Sequence, residues 1–222
     1  MAAYDLEEQE QISELKTWWK MYGNRVTSVL LAVSVAVVGW QGWNWYQRKQ
    51  TSEASVFYAA VQKGALERDA KRVREAAGEL TEKYPGTAYA AMAALTSARM
   101  QFEAGDLKTA KAQLQWVVEK SRDKDLRDLA RLRLAHVLFD DQAPDEALKL
   151  LGEDTAPAFA ARFAELRGDI LAAQGKRAEA KAAYQTALAK QDATEKAVGS
   201  QGGREGQYRE LLQIKLDSLG GE

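Results

Sequence analysis

From Val26 to Trp45 the chain reads VTSVLLAVSVAVVGWQGWNW, twenty residues without a charge. At about 1.5 Å per residue, a helix of that length covers the roughly 30 Å hydrocarbon core of a bilayer. The pattern predicts a transmembrane helix over 26–46, driest from Val26 to Trp40 because Gln41, Gly42 and Asn44 weaken its last turn. Aromatics mark both edges. Trp18, Trp19 and Tyr22 precede the span and Trp40, Trp43, Trp45 and Tyr46 close it, where amphipathic rings favour the headgroup layer. Trp40, Trp43 and Trp45 are therefore expected to contact lipid, while Gly39 and Gly42 permit close packing against a partner helix. Before the span, in residues 1–25, Ile12, Leu15, Trp18, Trp19 and Tyr22 recur at three- and four-residue spacing, one face of an amphipathic segment suited to the membrane surface. Beyond it the pattern turns polar and helical, which predicts a water-exposed domain over 47–222.

A cleavable signal peptide fits this start poorly, because Asp5, Glu7, Glu8, Glu10 and Glu14 precede the span and no small-x-small cut site follows it. A buried core helix fits poorly as well, since an uncharged run of this length with aromatic edges is unusual in a soluble domain. Orientation is weakly marked. Lys16, Lys20 and Arg25 lie before the span and Arg48 and Lys49 after it, a three-to-two lean toward a cytoplasmic N-terminus.

The polar part repeats. Three segments align on their turns: Ala98, Gln101, Gly105, Ala110, Leu114 and Val117; then Ala135, Leu138, Gln142, Ala147 and Leu151; then Gly168, Leu171, Gly175, Ala180, Tyr184 and Ala187. The turns are offset by 37 and 33 residues, and each segment reads as helix, turn and helix with small residues where the helices cross. These residues resemble the tetratricopeptide repeat, with small residues flanking a turn glycine and an aromatic such as Tyr184 behind them. The middle copy departs from it, with Gln142 in place of glycine and a second helix cut short by Gly152. An earlier pair, Glu53 to Leu66 and Asp69 to Lys83, closes on Tyr84 and Pro85. Past Asp192 the Gly-rich stretch GSQGGREGQ, with its insertion at Gly199 to Gly206, reads as a loop, and residues 208–219 as a helix capping the array. The fold class expected is all-α: a single transmembrane helix followed by an α-solenoid of about four helix pairs.

A solenoid presents a concave face to peptides or partner helices and seldom hosts chemistry. In the repeat register the first helices turn Met92, Leu95, Arg99, Phe102 and Glu103 inward, then Leu129, Leu132, His136, Phe139 and Asp140, then Arg162, Glu165 and Asp169. Leu95, Leu129 and Leu132 read as packed core, and the remaining ten are the protein-binding candidates.

Composition then removes other chemistries. Cysteine is absent, so disulfides, thiolate nucleophiles and Cys-ligated metals are excluded, and a single histidine excludes His-pair metal sites. No catalytic residue, cofactor site or metal site is expected. Paired acids Asp140 and Asp141, or Glu153 and Asp154, sit beside turns where caps are expected. KRVRE around Arg72 and RDKDLRDLARLR from Arg122 to Arg133 alternate sign like solvated faces. The Gly-rich stretch lacks the strand and the helix-opening Lys-Ser or Lys-Thr of a phosphate loop. After Gln50 there are 26 basic and 27 acidic residues, which gives no excess for nucleic acid.

The acidic start, ELKTWWKMYGN, the span ending GWQGWNWYQ, then YPGTAYAAMAAL, LRLAHVL, LRGDILAAQGK and the closing LLQIKLDSL together resemble the YfgM family of bacteria, the ancillary SecYEG translocon subunits. The resemblance implies a bitopic inner-membrane protein with a cytoplasmic N-terminus and a periplasmic repeat domain. It implies as partners the SecYEG translocon, the periplasmic chaperone PpiD and nascent secreted proteins, with membrane lipid around the span and no catalytic residue. The alternative from the residues alone is an inner-membrane scaffold or assembly factor for another envelope or respiratory complex.

Overall fold

A computed structural model describes residues 2–152, 154–198 and 204–220, and among them the regular structure is nine helices with no strand. The chain divides into two compact units, residues 1–50 and 51–222. Helix α1 (Ala2–Leu66) carries the apolar stretch and, from residue 51, supplies the first helix of the second unit.

In the first unit the apolar window of α1 has a mean hydropathy of 1.6 and none of it is buried, so by length and composition it can cross a membrane. Trp40, Trp43 and Trp45 stand exposed, and a Cβ built on Gly39 or Gly42 would meet nothing within 4 Å. The edge aromatics group locally. Trp18 lies 5.9 Å from Tyr22, Trp43 lies 6.2 Å from Tyr46, and the Lys49 ammonium sits 5.7 Å from the Trp45 ring.

The second unit is a run of helix pairs. The end of α1 pairs with α2 (Ala70–Lys83), α3 (Ala88–Glu103) with α4 (Leu107–Lys120), α5 (Lys124–Asp140) with α6 (Pro144–Leu150), and α7 (Pro157–Ala173) with α8 (Arg177–Val198). Helix α9 (Arg204–Ser218) packs on α8. Starts follow capping chemistry: Asp69, Thr87, Asp106 and Asp123 accept bonds from first-turn N–H groups, and Pro144 and Pro157 open α6 and α7, where a missing N–H costs nothing. Helix α6 stops at Leu150, two residues before Gly152.

One turn geometry recurs between the helices of every pair. Gly105 and Gly175 adopt φ of 82° and 74°, and Gln142 takes the same left-handed region at 60°. The N–H of the following residue then reaches back five residues, from Asp106 to Gln101 (2.8 Å), from Ala143 to Leu138 (2.8 Å) and from Lys176 to Leu171 (2.9 Å). Arg68, at φ 55°, makes the same turn in the first pair, with Asp69 N–H donating to the Gly64 carbonyl at 3.0 Å. The earlier pair read from the sequence is therefore a fourth copy of the same turn, with arginine standing where glycine is expected.

Close approach follows from side-chain size. A Cβ on Gly168 would lie 2.5 Å from the Tyr184 ring, and a Cβ on Gly64 would lie 2.9 Å from Val73 Cγ2. Alanines at 98, 130, 135 and 147, with Leu114, Val117, Leu134 and Phe163, fill a cluster running from α3 to α7. Val61, Val73, Ala77 and Leu80 join Ala90, Ala93 and Met100 in a second. Leu171, Ala180 and Ala183 with Leu219 form a third.

Two expectations change. Helix α8 continues to Val198 and α9 begins at Arg204, so the connection is shorter than the loop expected beyond Asp192; of the Gly-rich insertion, residues 199–203 lie outside the described residues. The extension contains no helix breaker and is supported by Gln191–Glu195 and Asp192–Arg209 bonds at 3.0 and 3.1 Å. The charged run 122–133 is not a uniformly solvated face. Asp128 is only 2% exposed and accepts from Arg131 at 3.0 Å and from the Ala156 N–H at 2.7 Å, while Arg131 holds the Leu150 and Asp154 carbonyls. This pair pins the irregular segment between α6 and α7. Of the acids read as caps there, Asp154 is bonded to Lys124 at 3.0 Å, and Glu153 lies outside the described residues.

Left-handed backbone costs a side-chain-bearing residue about 1 kcal/mol more than glycine. Gln142→Gly is expected to stabilise the repeat unit by about that amount and Gly175→Ala to destabilise it similarly, read as opposite shifts in the urea midpoint.

Candidate functional site

The inward candidates come from the first helix of each pair, and α3, α5 and α7 lie side by side. Between α5, α7 and α9 is an open groove of about 570 Å³. Its floor is apolar, with Leu129, Leu132, Phe159 and Leu166, and its rim carries Arg133, His136, Arg162, Glu165, Asp169 and Lys215. The structure thus gathers His136, Arg162, Glu165 and Asp169 at one place. Leu95 is buried, as expected of core, whereas Leu129 and Leu132 are half-buried and both pack on the core and floor the groove.

The remaining candidates lie outside this groove. Met92 and Phe102 are 38% and 39% exposed on α3. Arg99 faces Glu103 at 3.7 Å in an exposed i,i+4 pair, an interaction worth a few tenths of a kcal/mol at most, on the order of 0.5. Phe139 is packed partly into the core, and Asp140 is exposed at the end of α5.

Three of the gathered residues are already engaged by the C-terminal helix. Lys215 donates to Glu165 Oε1 and to both oxygens of Asp169, each at 2.8 Å. The Tyr208 hydroxyl donates to Glu165 Oε2 at 2.9 Å, and the Arg162 guanidinium sits 3.7 Å from the Tyr208 ring centre. Tyr184, behind α7, donates its hydroxyl to Asp169 Oδ1 at 2.8 Å. Leu212, fully buried, adds the apolar part of the seat. Arg162, Glu165 and Asp169, read from sequence as open to a partner, are therefore the docking points of α9. The signal for this was present: Tyr208, Leu212, Lys215 and Leu219 recur at four- and three-residue spacing, a single helix face combining apolar and hydrogen-bonding groups.

Electrostatics follow from this packing. Burial opposes the charge on Lys215, but its hydrogen bonds to Asp169 and Glu165 outweigh that and raise its pKa. Burial, with the neighbouring carboxylates, raises the Tyr184 and Tyr208 phenols, so both remain donors at any physiological pH. Burial lowers His136, partly offset by Asp140, Asp169 and Glu165, so the imidazole is neutral at pH 7. Because its folded pKa lies below the unfolded value of about 6.5, its contribution to stability is complete above that pH and is lost as pH falls through the folded pKa. Burial and the charge of Arg99 lower Arg133, which has no hydrogen-bonded or ion-paired partner among the described residues. Arg133 was not among the inward positions read from the sequence, although it lies one turn after Leu129 and one turn before His136, on the same face of α5.

A second hollow of about 980 Å³ lies between α7, α8 and the segment 151–158, lined mainly by small residues such as Ala160, Ala164 and Ala193. Its guanidinium, Arg167, is bonded to the Leu151 carbonyl. Among the described residues no group of three or more His, Asp or Glu is arranged to hold a metal ion.

The tetratricopeptide repeat-like domain family matches residues 16–221. A Neisseria gonorrhoeae protein named "ancillary SecYEG translocon subunit" is 33% identical over 99% of this chain and 100% of its own length. Proteins of the same name from Haemophilus influenzae and Escherichia coli K12 are 31% and 28% identical, over 83% and 96% of this chain and 90% and 96% of their own.

Removing the Lys215 ammonium leaves Glu165 and Asp169 facing each other with one fewer donor. Lys215→Ala is expected to weaken the seating of α9 by about 2 kcal/mol, a roughly thirtyfold rise in its opening, seen as faster amide exchange in 206–218 with α3 and α4 unchanged.

Proposed function

The chain belongs to the tetratricopeptide repeat-like family, in the branch shared with proteins named ancillary SecYEG translocon subunits, and from that premise we propose that it is itself a non-catalytic ancillary subunit of SecYEG. The observation that carries this reading is the extent of the match. It covers 99% of this chain and 100% of the Neisseria relative, so it takes in the apolar helix together with the repeats.

The domain plan we propose places residues 1–25 in the cytoplasm, the span over 26–46 in the bacterial inner membrane, and the repeats, 47–222, in the periplasm. The span supplies lateral contact with channel helices through Gly39 and Gly42, where an open backbone surface allows close approach, while Trp40, Trp43 and Trp45 anchor in the headgroup layer. The repeat unit supplies a protein-binding face, made of Met92, Arg99, Phe102 and Glu103 on α3 and of His136, Phe139 and Asp140 on α5. A periplasmic chaperone of the PpiD type, or a nascent segment leaving the channel, occupies that face. Covalent attachment to a span keeps the repeats at high effective concentration near the channel exit, so weak contacts suffice for handing emerging chains to folding factors.

Photo-crosslinkers at Gly39, Phe102 and Phe139 in native membranes are expected to give channel adducts from the first and chaperone or nascent-chain adducts from the other two. Absence of any channel adduct from Gly39 would sink the translocon reading, and adducts only with another envelope complex would replace it with the scaffold reading.

The chain contains no cysteine, so single introduced thiols report topology without background. In intact spheroplasts a membrane-impermeant maleimide is expected to label Arg177→Cys and spare Ser13→Cys; the opposite pattern would reverse the orientation.

A further inference from the structure

Within the groove between α5, α7 and α9 the carboxylates are fully committed. Glu165 receives Lys215, Tyr208 and, at 3.4 Å, Arg162, and Asp169 receives Lys215 and Tyr184. The cations that answer them are committed by the same bonds. Arg133 is the exception. It lines the groove from α5, and neither an acid nor a carbonyl meets its guanidinium among the described residues. The charge that acts on it is that of Arg99, from the neighbouring α3. Glu103, on the same helix, pairs with Arg99 at 3.7 Å. Arg133 thus stands beside an apolar floor with no bonded acid of its own among the described residues, while the Arg99 charge acts on it from α3, outside the groove.

An arginine in this setting has more to gain from a carboxylate than one in open water. Arg133 is exposed at the groove with the Arg99 charge acting on it, and its planar fork offers two parallel donors to a carboxylate. Leu129 and Leu132 lie one turn and one residue before it on the same helix, with Phe159 across the groove. A volume of about 570 Å³ holds a few side chains, and a groove whose other two cations, Arg162 and Lys215, are already bonded to its own carboxylates does not suit a polyanion.

We propose that Arg133 is the recognition group of this groove and that the segment it selects is amphipathic, with an acidic side chain against Arg133 and an apolar side chain, one helical turn away, on Leu129, Leu132 and Phe159. This assignment rests on the reading of the repeat unit as a protein-binding module and specifies the chemistry of what that module takes.

The test uses the full chain in phosphatidylcholine nanodiscs and two labelled amphipathic peptides of about 15 residues, rich in Leu, Phe and Ala, identical except for Glu or Gln at the same polar-face positions. The Glu peptide is expected to bind about tenfold more tightly, a preference that shrinks with added salt. Arg133→Gln is expected to bring it down to the Gln peptide, while Arg177→Gln, on α8 outside the groove, keeps the preference. The salt dependence is read on the unmutated chain, so it stands whatever Arg133→Gln does to folding. Equal affinities, binding of neither peptide, or a preference that survives Arg133→Gln overturns the proposal, as does attraction of the chain to phosphatidylglycerol vesicles with no peptide preference. Channel adducts from Gly39 report separately: adducts without a peptide preference overturn the groove assignment alone, and a preference without adducts overturns the translocon reading alone.

Discussion

The close approach of successive helices is the constraint on which the second unit depends. Apart from α9, which reaches back to α7, each helix there packs on neighbours near it along the chain, and the core is handed from pair to pair. Short interhelical distance has to be obtained locally, by removing side-chain bulk at the crossing. Gly168 against Tyr184 shows how little room is left, since even a methyl group would enter the ring. The first pair reaches the same closeness by the reverse allocation, with Val73 filling the space that Gly64 leaves empty. The recurring left-handed turn sets the angle at which each second helix leaves the first, and it persists at Arg68 and Gln142 where no glycine helps. Stacking energy from the neighbouring pairs therefore outweighs a backbone cost of about 1 kcal/mol at each of those positions.

Packing of this kind uses one side of each first helix and leaves the inner side of α3, α5 and α7 to other purposes. At the C-terminal end that side is taken by α9, whose seat is largely polar: one ammonium and one phenol against two carboxylates, with Leu212 as the buried apolar anchor. A terminal helix held in this way satisfies the acids of α7 without closing the solenoid against a partner. The groove between α5 and α7 remains open beside it, with α9 as a wall.

What the sequence made legible follows from how local each determinant is. The long apolar stretch, its aromatic edges, the helix pairs and their small residues depend on neighbours within a few positions, and local composition and periodicity locate them. Helix α2 begins after Asp69 and ends at Lys83 because a capping carboxylate and a Tyr-Pro stop are written at those places. The candidate site was legible only in part. Which residues turn inward follows from the register, and His136, Arg162, Glu165 and Asp169 do meet. Whether an inward residue is free depends on a helix some 50 positions later, as Lys215 with Glu165 shows, and no local pattern carries that information. Asp128 was misread for the same reason: its partners are the Arg131 side chain and a backbone N–H 28 residues away, and alternating charge looks alike whether it faces water or a loop.

The same distinction explains why a nearly neutral domain can still be selective. Its 26 basic and 27 acidic residues cancel in sum, and most of the pairs they form are exposed and contribute little. Selectivity has to come from charges that packing has removed from that cancellation. Glu165 and Asp169 are removed by being saturated, which makes them structural. Arg133 is removed in the other sense, since its own helix and its neighbours supply no counter-charge. A surface with no net field thus presents one directed cation beside an apolar floor, an arrangement that rewards a short acidic and apolar segment and gives little to a polyanion or to a purely greasy chain.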